Sequence, residues 1–319
     1  MVRLGIDLGG TNIAVGIVDE NYKIIHKGSV PTGATRPAEK IVDDMAELCR
    51  KVTADAGYTM ADVASVGIAA PGTINSRDGY VEYANNLPFH HLPIVSLLRE
   101  RLGNLPVFVD NDANAAAYGE AVAGAAKGTA NSIMVTLGTG VGGGIIIDHK
   151  VYSGFNGAGG ELGHMVIVEN GVPCSCGRRG CFEAYSSATA LIRMTSEKLA
   201  KCEKAKRPTV MTDLVAKKGR VTGRTAFDGM RAGDAAAKEV VDEYLRYLAC
   251  GIANLINVFQ PEILSIGGGI SGEGQSLIDA LLPLVRGEGY GGDVVPLTKL
   301  CIAQLGNDAG IVGAAALGQ

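Results

Sequence analysis

The residues that could do chemistry concentrate between Glu161 and Glu183, in the stretch E-L-G-H-M-V-I-V-E-N-G-V-P-C-S-C-G-R-R-G-C-F-E. Cys174, Cys176 and Cys181 fall within eight residues, Gly177 and Gly180 interrupt them, and His164 stands ten residues before the first. Three thiolates and one imidazole complete a tetrahedral set of the kind a structural zinc takes, and the glycines let a short loop turn its sulfurs inward. The competing reading is a chance cluster of reduced thiols. The remaining cysteines, Cys49, Cys202, Cys250 and Cys301, are scattered singly in apolar or helical contexts, which points to a reducing cytoplasm and not to a disulfide framework.

Two carboxylates bracket these ligands: Glu161 lies three residues before His164, and Glu183 two after Cys181. Carboxylates clamped at the edge of a metal-stapled loop suit the hydroxyls of a sugar, because the ionised group only accepts hydrogen bonds. With one ring nitrogen on the metal, His164 is held in a single tautomer and can turn its other nitrogen to a ligand. The pattern E-x-G-H followed by C-x-C-G-x-x-G-C-x-E resembles the ROK family of sugar kinases, and the match is complete over the motif. The resemblance implies that the loop 161–183 joins a zinc site, made by His164, Cys174, Cys176 and Cys181, to a sugar site in which Glu161, His164 and Glu183 take part.

A kinase must also hold phosphates, and three strand-to-glycine turns are candidates. Val2 to Asp7 reads as a strand, Gly9-Gly10-Thr11-Asn12 break it, and Ile13 to Val18 resume as a second strand. Gly9 and Gly10 would let backbone N–H groups approach a phosphate, Thr11 and Asn12 add polar side chains, and Asp7 could hold a hydrated magnesium ion. A plain hairpin turn is the alternative. The second candidate follows the strand Ser132 to Leu137, at Gly138-Thr139-Gly140-Val141-Gly142-Gly143-Gly144, before the strand Ile145 to Ile147. It contains G-x-G-x-x-G, but the dinucleotide fold needs a helix after those glycines and a β-branched strand follows instead, so that reading is rejected. No Walker A sequence occurs, which excludes a P-loop enzyme. The segments I-D-L-G-G-T and V-T-L-G-T-G align position by position. This internal duplication, two hairpins holding phosphates from opposite sides, resembles the ATPase fold of actin, heat-shock ATPases and hexokinase. The third turn, Gly267-Gly268-Gly269 after the strand Glu262 to Ile266, lies under the adenosine in that fold; a helix-entry loop is the alternative.

The segment Asp110-Asn111-Asp112 follows the short strand Val107 to Val109 and opens an alanine-rich helix, Ala113 to Ala123. Asp and Asn are natural helix N-caps. A carboxylate at a strand end is also placed to take a proton from an attacking hydroxyl. Sequence leaves both roles open, and they are compatible. The ROK resemblance implies that Asp112 is the base and Asn111 a sugar ligand.

The other elements follow from periodicity. Strands are expected over Lys23–Val30, Val63–Ala69 and Lys299–Ala303, and helices over Ala38–Ala56, Ile94–Leu102, Ala188–Ala200, Val210–Lys217, Arg224–Ala232, Ala235–Phe259 and Ala309–Leu317. Asn85 to Pro88 reads as a loop, and His90 and His91 beside it as exposed surface histidines without a role. The resemblance implies that the last helix packs back on the N-terminal domain.

With 319 residues, 47% hydrophobic, the chain has material for two domains and a large core. A net charge of −4 and no basic run beyond the short segment Lys201 to Arg207 argue against a nucleic-acid partner. No leader opens the sequence and no apolar run spans a bilayer, so no membrane is expected and a cytoplasmic location is. The fold class expected is α/β: a two-domain actin-like ATPase (ribonuclease H-like) fold with a cleft between the domains. The N-terminal domain would hold 1–112 plus 304–319 and the C-terminal domain 113–303, with the zinc loop inserted. The resemblance implies ATP-dependent phosphorylation of a hexose with magnesium as cofactor, zinc in a structural role, and a homodimer or homotetramer. Glucose is the expected substrate. N-acetylmannosamine, N-acetylglucosamine, fructose and allose are alternatives on the same scaffold, and a sugar-responsive regulator without a DNA-binding domain is the alternative of another class. An N-acetyl group would need an apolar recess near the second sugar carbon, for which the sequence offers no residues.

Overall fold

The computed structural model describes residues 1–291 and 294–319. The chain forms two compact units, one of Met1–Met134, Gly143–Gly160 and Ala303–Gln319, the other of Val135–Gly142 and Glu161–Ile302.

The first unit is built on a five-stranded sheet of order β3-β2-β1-β4-β8. β1 (Val2–Leu8), β2 (Asn12–Val18) and β3 (Ile24–Pro31) form an antiparallel meander. β4 (Val63–Ala70) pairs parallel with β1, and β8 (Val107–Asn111) parallel with β4. Leu4, Ile6, Leu8, Val66 and Ile68 are fully buried, as expected of central strands covered on both faces. α1 (Ala38–Asp55) contributes Ile41, Met45, Leu48 and Val52 to the same core at helical spacing, and α2 (Ile94–Arg101) adds Ile94 and Leu98. The expected strands and helices of this unit are thus present, with ends moved by a residue or so.

α3 (Asp112–Ala123) and α10 (Ala309–Ala316) also belong to this unit. α10 is buried along its whole length, and its alanines and glycines reflect how closely backbones approach. A Cβ on Gly67 would lie 1.7 Å from the carbonyl oxygen of Ala314, and one on Gly313 would lie 1.7 Å from that of Ala115. The first unit therefore continues past residue 112, where the sequence suggested a boundary. Glu120 of α3 supplies one physical reason: its buried carboxylate accepts from the backbone N–H groups of Ala125 (2.7 Å), Gln304 (3.0 Å) and Leu305 (2.7 Å). A small sheet of β5 (Thr73–Asn75), β6 (Tyr80–Tyr83) and β7 (His90–Leu92) completes the unit. His90 and His91, expected on the surface, are exposed residues of β7, and His91 pairs with Glu82 at 2.7 Å.

The second sheet repeats the plan of the first, in the order β11-β10-β9-β12-β13. Its strands are β9 (Ser132–Leu137), β10 (Val141–Ile147), β11 (Lys150–Val151), β12 (Ile263–Gly267) and β13 (Lys299–Ile302). β10 and β11 are antiparallel, β12 and β13 parallel, and the unit boundary passes through β9 and β10. β10 starts at Val141, so Gly142 to Gly144 are strand and only Gly138 to Gly140 form the turn. The second unit holds α4 (Glu183–Ser186), α5 (Ala188–Lys204), α6 (Val210–Lys218), α7 (Thr225–Arg231), α8 (Ala235–Phe259) and α9 (Gln275–Glu288). α8 buries Val240, Tyr244, Leu248 and Ile252 along one face, and the Tyr244 hydroxyl donates to the Ser186 carbonyl at 2.7 Å. Among the described residues no helix is long and apolar enough to cross a membrane.

Candidate functional site

In the first unit the β1–β2 turn is held from inside. Gly9 N–H donates to the Asn12 carbonyl at 2.9 Å, the hydroxyl of buried Thr32 donates to the Gly9 carbonyl at 2.6 Å, and Thr32 N–H donates to the Thr11 carbonyl at 2.8 Å. With its carbonyls so occupied, the turn leaves the side chains of Thr11 and Asn12 exposed. Asp7 stands at the end of β1, where burial, and secondarily the charge of Asp112, push its carboxyl up to about 6 from an ordinary 3.8. Gly310 of α10 makes room for it, since a Cβ there would lie 2.9 Å from the carboxylate. A half-buried carboxylate whose ionisation is opposed by burial has the donor chemistry of a ligand for a hard divalent cation.

The three polar residues after β8 divide their work. Asp110 is buried and turned inward, accepting from Asn111 N–H at 2.7 Å and from the Asn114 amide at 3.0 Å; burial raises its carboxyl above the usual range. Asn111 is the N-cap of α3, accepting from Ala113 and Asn114 N–H, while its amide donates to the Gly72 carbonyl at 3.0 Å. Asn111 is the cap, and Asp112, the first helical residue, presents an exposed carboxylate whose Oδ1 also accepts from Ala113 N–H at 2.8 Å and whose charge is felt at Asp7.

In the second unit the turn Gly138–Gly140 closes with Gly138 N–H donating to the Gly140 carbonyl at 3.0 Å. The start of α5 holds it: Ala188 N–H donates to the Gly138 carbonyl at 2.8 Å and the Thr189 hydroxyl to the Thr139 carbonyl at 2.7 Å. After Gly267 ends β12, Gly268 adopts φ +79°, and a Cβ there would lie 2.6 Å from the Leu137 carbonyl oxygen. Only glycine satisfies both conditions, so the second and third glycine turns adjoin.

The metal-ligand candidates converge. The donor atoms of His164, Cys174, Cys176 and Cys181 all lie within 4.8 Å of one another. His164 Nδ1 is 3.6 Å from Cys174 Sγ, and the Sγ atoms of Cys176 and Cys181 are 3.7 Å apart. Zinc at tetrahedral angles, with Zn–S of about 2.3 Å and Zn–N of about 2.05 Å, demands edges of about 3.6 Å for N···S and about 3.8 Å for S···S. The His164–Cys174 and Cys176–Cys181 edges match those of a zinc tetrahedron, and the chemistry agrees: burial and the neighbouring thiols push Cys181 up to about 12, a cost that a cation removes. The loop gets its shape from Gly180, at φ +81°, where a Cβ would lie 1.7 Å from the Val168 carbonyl oxygen. Phe182, fully buried, fills the space that Gly251 leaves on α8.

Of the bracketing carboxylates, Glu161 is exposed at the start of a short helical turn that carries His164. Glu183 is half-buried at the start of α4. Its Oε1 accepts from the Ser175 hydroxyl at 3.2 Å and from Cys174 Sγ at 3.7 Å, and its Oε2 accepts from Val141 N–H at 3.1 Å. Cys174, Ser175, Glu183, Thr139, Gly140 and Thr189 all line a cavity of about 450 Å³. Within the second unit the structure thus brings His164, Glu183, the cysteine cluster and the turn 138–140 together; within the first it brings Asp7, the turn 9–12, Asn111 and Asp112 together. Sequence reasoning missed Thr32, Asp110, Ser175, Thr189 and Gly310. Ser175 alone carried a signal, as the middle residue of C-S-C.

Comparison with known proteins agrees with this architecture. The ROK family model matches residues 3–319. The glucokinase of Streptomyces coelicolor is 38% identical over 317 residues, covering 99% of this chain and 97% of that protein. The crystal structure of a ROK family glucokinase from Streptomyces griseus, in complex with glucose and AMPPNP, superimposes with a TM-score of 0.79 at 38% identity, covering 99% of each chain. That of the ROK hexokinase from Thermus thermophilus gives 0.80 at 34% identity, covering 99% of this chain and 97% of that one.

Proposed function

The chain belongs to the ROK family, as a sugar kinase of the actin-like ATPase fold, and from that premise we propose that it transfers the γ-phosphoryl group of ATP to the 6-hydroxyl of glucose. The observation that carries the catalytic half is the placement of Asp7 and Asp112, an inward carboxylate at a strand end and an exposed one at a helix start, close enough for one charge to raise the other's pKa. Asp112 takes the proton from O6 as O6 attacks the γ-phosphorus; the O6–P bond forms, the bond to the β-phosphate oxygen breaks, and ADP leaves. Asp7 holds a hydrated magnesium ion, which supplies charge neutralisation on the phosphates. Thr11, Asn12 and the backbone at Gly9, Gly10 and Gly138–Gly140 position those phosphates, and Gly267 and Gly268 leave space for the nucleoside. Positioning and charge supply most of the rate.

The glucose half rests on hydrogen-bonding groups. Asn111, Glu161, His164 and Glu183 suit a ring with several free hydroxyls, and such a site rejects sugars that leave one group unpaired, by as much as about 10⁴-fold. Likeness to the two Streptomyces glucokinases points the same way. His164, Cys174, Cys176 and Cys181 hold a structural zinc that keeps this loop in shape. The test is kcat/KM with ATP across glucose, mannose, fructose, allose, N-acetylglucosamine and N-acetylmannosamine. Glucose should be highest, mannose slower and the N-acetylated sugars slowest. A better substrate among the other five overturns glucose alone; no phosphorylation of any of them overturns the hexose reading too.

A further inference from the structure

The carboxylate of Glu183 has two oxygens with different partners, and these lie on different parts of the second unit. Oε1 accepts from Ser175, in the middle of the cysteine loop; Oε2 accepts from the N–H of Val141, the first residue after the turn 138–140. The turn is built around this carboxylate, since a Cβ on Gly140 would lie 2.2 Å from Oε2. The turn's other two attachments, Ala188 N–H to Gly138 and Thr189 Oγ to Thr139, run to the start of α5. Glu183 is the attachment that continues, through Ser175, into the cysteine loop. Its own base is fixed, because Phe182 before it is fully buried against α8 and the Ala184 carbonyl after it accepts from Arg193 at 3.1 Å.

We propose that Glu183, held by Ser175, is a positioning strut that sets the second phosphate turn by the state of the cysteine loop, so that one residue serves nucleotide binding as well as the sugar. Assigning the turn to phosphate rests on the function proposed above; the strut itself does not. A carboxylate has about four acceptor positions, so the Ser175 and Val141 donors leave capacity for a sugar hydroxyl. A hydrogen bond to a charged group is stronger than one between neutral groups, enough to bias the turn between a held and a loose state.

Two variants separate the strut from general damage. Ser175→Ala removes the outer hold on Glu183 while leaving Glu183 itself, and every other group assigned to catalysis or sugar, unsubstituted. It should raise KM for ATP at least about tenfold, the scale of one such bond lost, while KM for the sugar changes less than about twofold. Glu183→Gln keeps an acceptor for Val141 N–H and a donor for Ser175, whereas Glu183→Ala keeps neither. Residue-resolved hydrogen exchange of the ligand-free protein should therefore show the Val141 amide protected in the parent and in Glu183→Gln, and exchanging at least about tenfold faster in Glu183→Ala, on the same energy scale. Unchanged protection in Glu183→Ala, or equal KM shifts for both substrates in Ser175→Ala, overturns the strut. Exchange needs no activity. If Val141 responds as expected but no sugar is phosphorylated, the strut stands and the kinase assignment of the turn falls by itself.

Discussion

Replacing Asp7 with asparagine should make the ligand-free protein more stable and the enzyme inactive. Ionising Asp7 works against its burial and against the charge of Asp112, which together raise its carboxyl from 3.8 to about 6. The folded state therefore binds a proton that the unfolded chain has already released between those values, so stability falls as pH rises through that window and levels off above about 6. At about 1.36 kcal/mol per pH unit, the full interval makes ionised Asp7 cost about 3 kcal/mol at neutral pH. Asp7→Asn keeps the shape and removes the cost, and for a unit of this size should raise Tm at pH 8 by roughly 5 °C or more. The advantage should shrink to about half at pH 5 and to about a fifth at pH 4, where folded Asp7 is almost wholly protonated and unfolded Asp7 is still rather more than half ionised. Adding magnesium and ATP should reverse the order, stabilising the parent and leaving the variant almost unmoved, because the cation that offsets the burial has lost its ligand. Thermal melts at pH 4, 5 and 8, with and without the nucleotide complex, read all of this. A variant less stable than the parent at pH 8, or one whose advantage persists unchanged to pH 4, refutes the electrostatic reasoning.

Asp112→Asn should lower kcat more than tenfold, at least about 1.4 kcal/mol in barrier, with sugar affinity by calorimetry nearly unchanged; turnover above a tenth of the parent rate removes Asp112 as the base. Metal analysis of purified protein should find close to one zinc per chain, lowered in Cys176→Ser, and full activity without zinc would discard the structural role of the cluster. Gly180→Ala should cost on the order of 1–3 kcal/mol from its backbone conformation alone, plus the clash with Val168, and so speed zinc loss to a chelator. Gly177→Ala, at φ +86° but with nothing within 4 Å of its Cβ, should lose metal more slowly than Gly180→Ala; the reverse order would contradict the packing account.

Much of this was legible from local pattern. The strands β1, β4, β9 and β12 are buried apolar runs that stop at glycines, and α1 and α8 carry their core face at helical spacing, so element type followed from periodicity. The cysteine loop was legible because ligand type and spacing constrain each other. β5, β6 and β7 were not, because three to four residues are too short for a periodic signal, and α9 carries Pro283 within it. The turn at Gly138–Gly140 looked longer than it is because glycine usually weakens a strand. Gly144 belongs in β10 for a tertiary reason, since Ala117 of α3 would sit 2.6 Å from its Cβ. Thr32 was invisible for a similar reason. A single hydroxyl has no pattern, and its meaning comes from the carbonyl or carboxylate that the fold delivers to it.

The aligned segments I-D-L-G-G-T and V-T-L-G-T-G now have a structural counterpart in two sheets of the same strand order, and the positions where they differ show how the copies divided their chemistry. Asp7 in the first corresponds to Thr136 in the second. The second turn thus keeps a neutral hydroxyl where the first has its carboxylate. Gly140 in turn corresponds to Thr11. The first turn is braced from behind by Thr32 and keeps its polar side chains outward. The second has given up a side chain at Gly140 and takes Glu183 into that space instead. The first copy therefore carries its chemistry in its own residues, while the second receives part of its geometry from the cysteine loop. Only the second turn should respond when that loop loses its metal, and exchange at Val141 but not at Asn12 should report it.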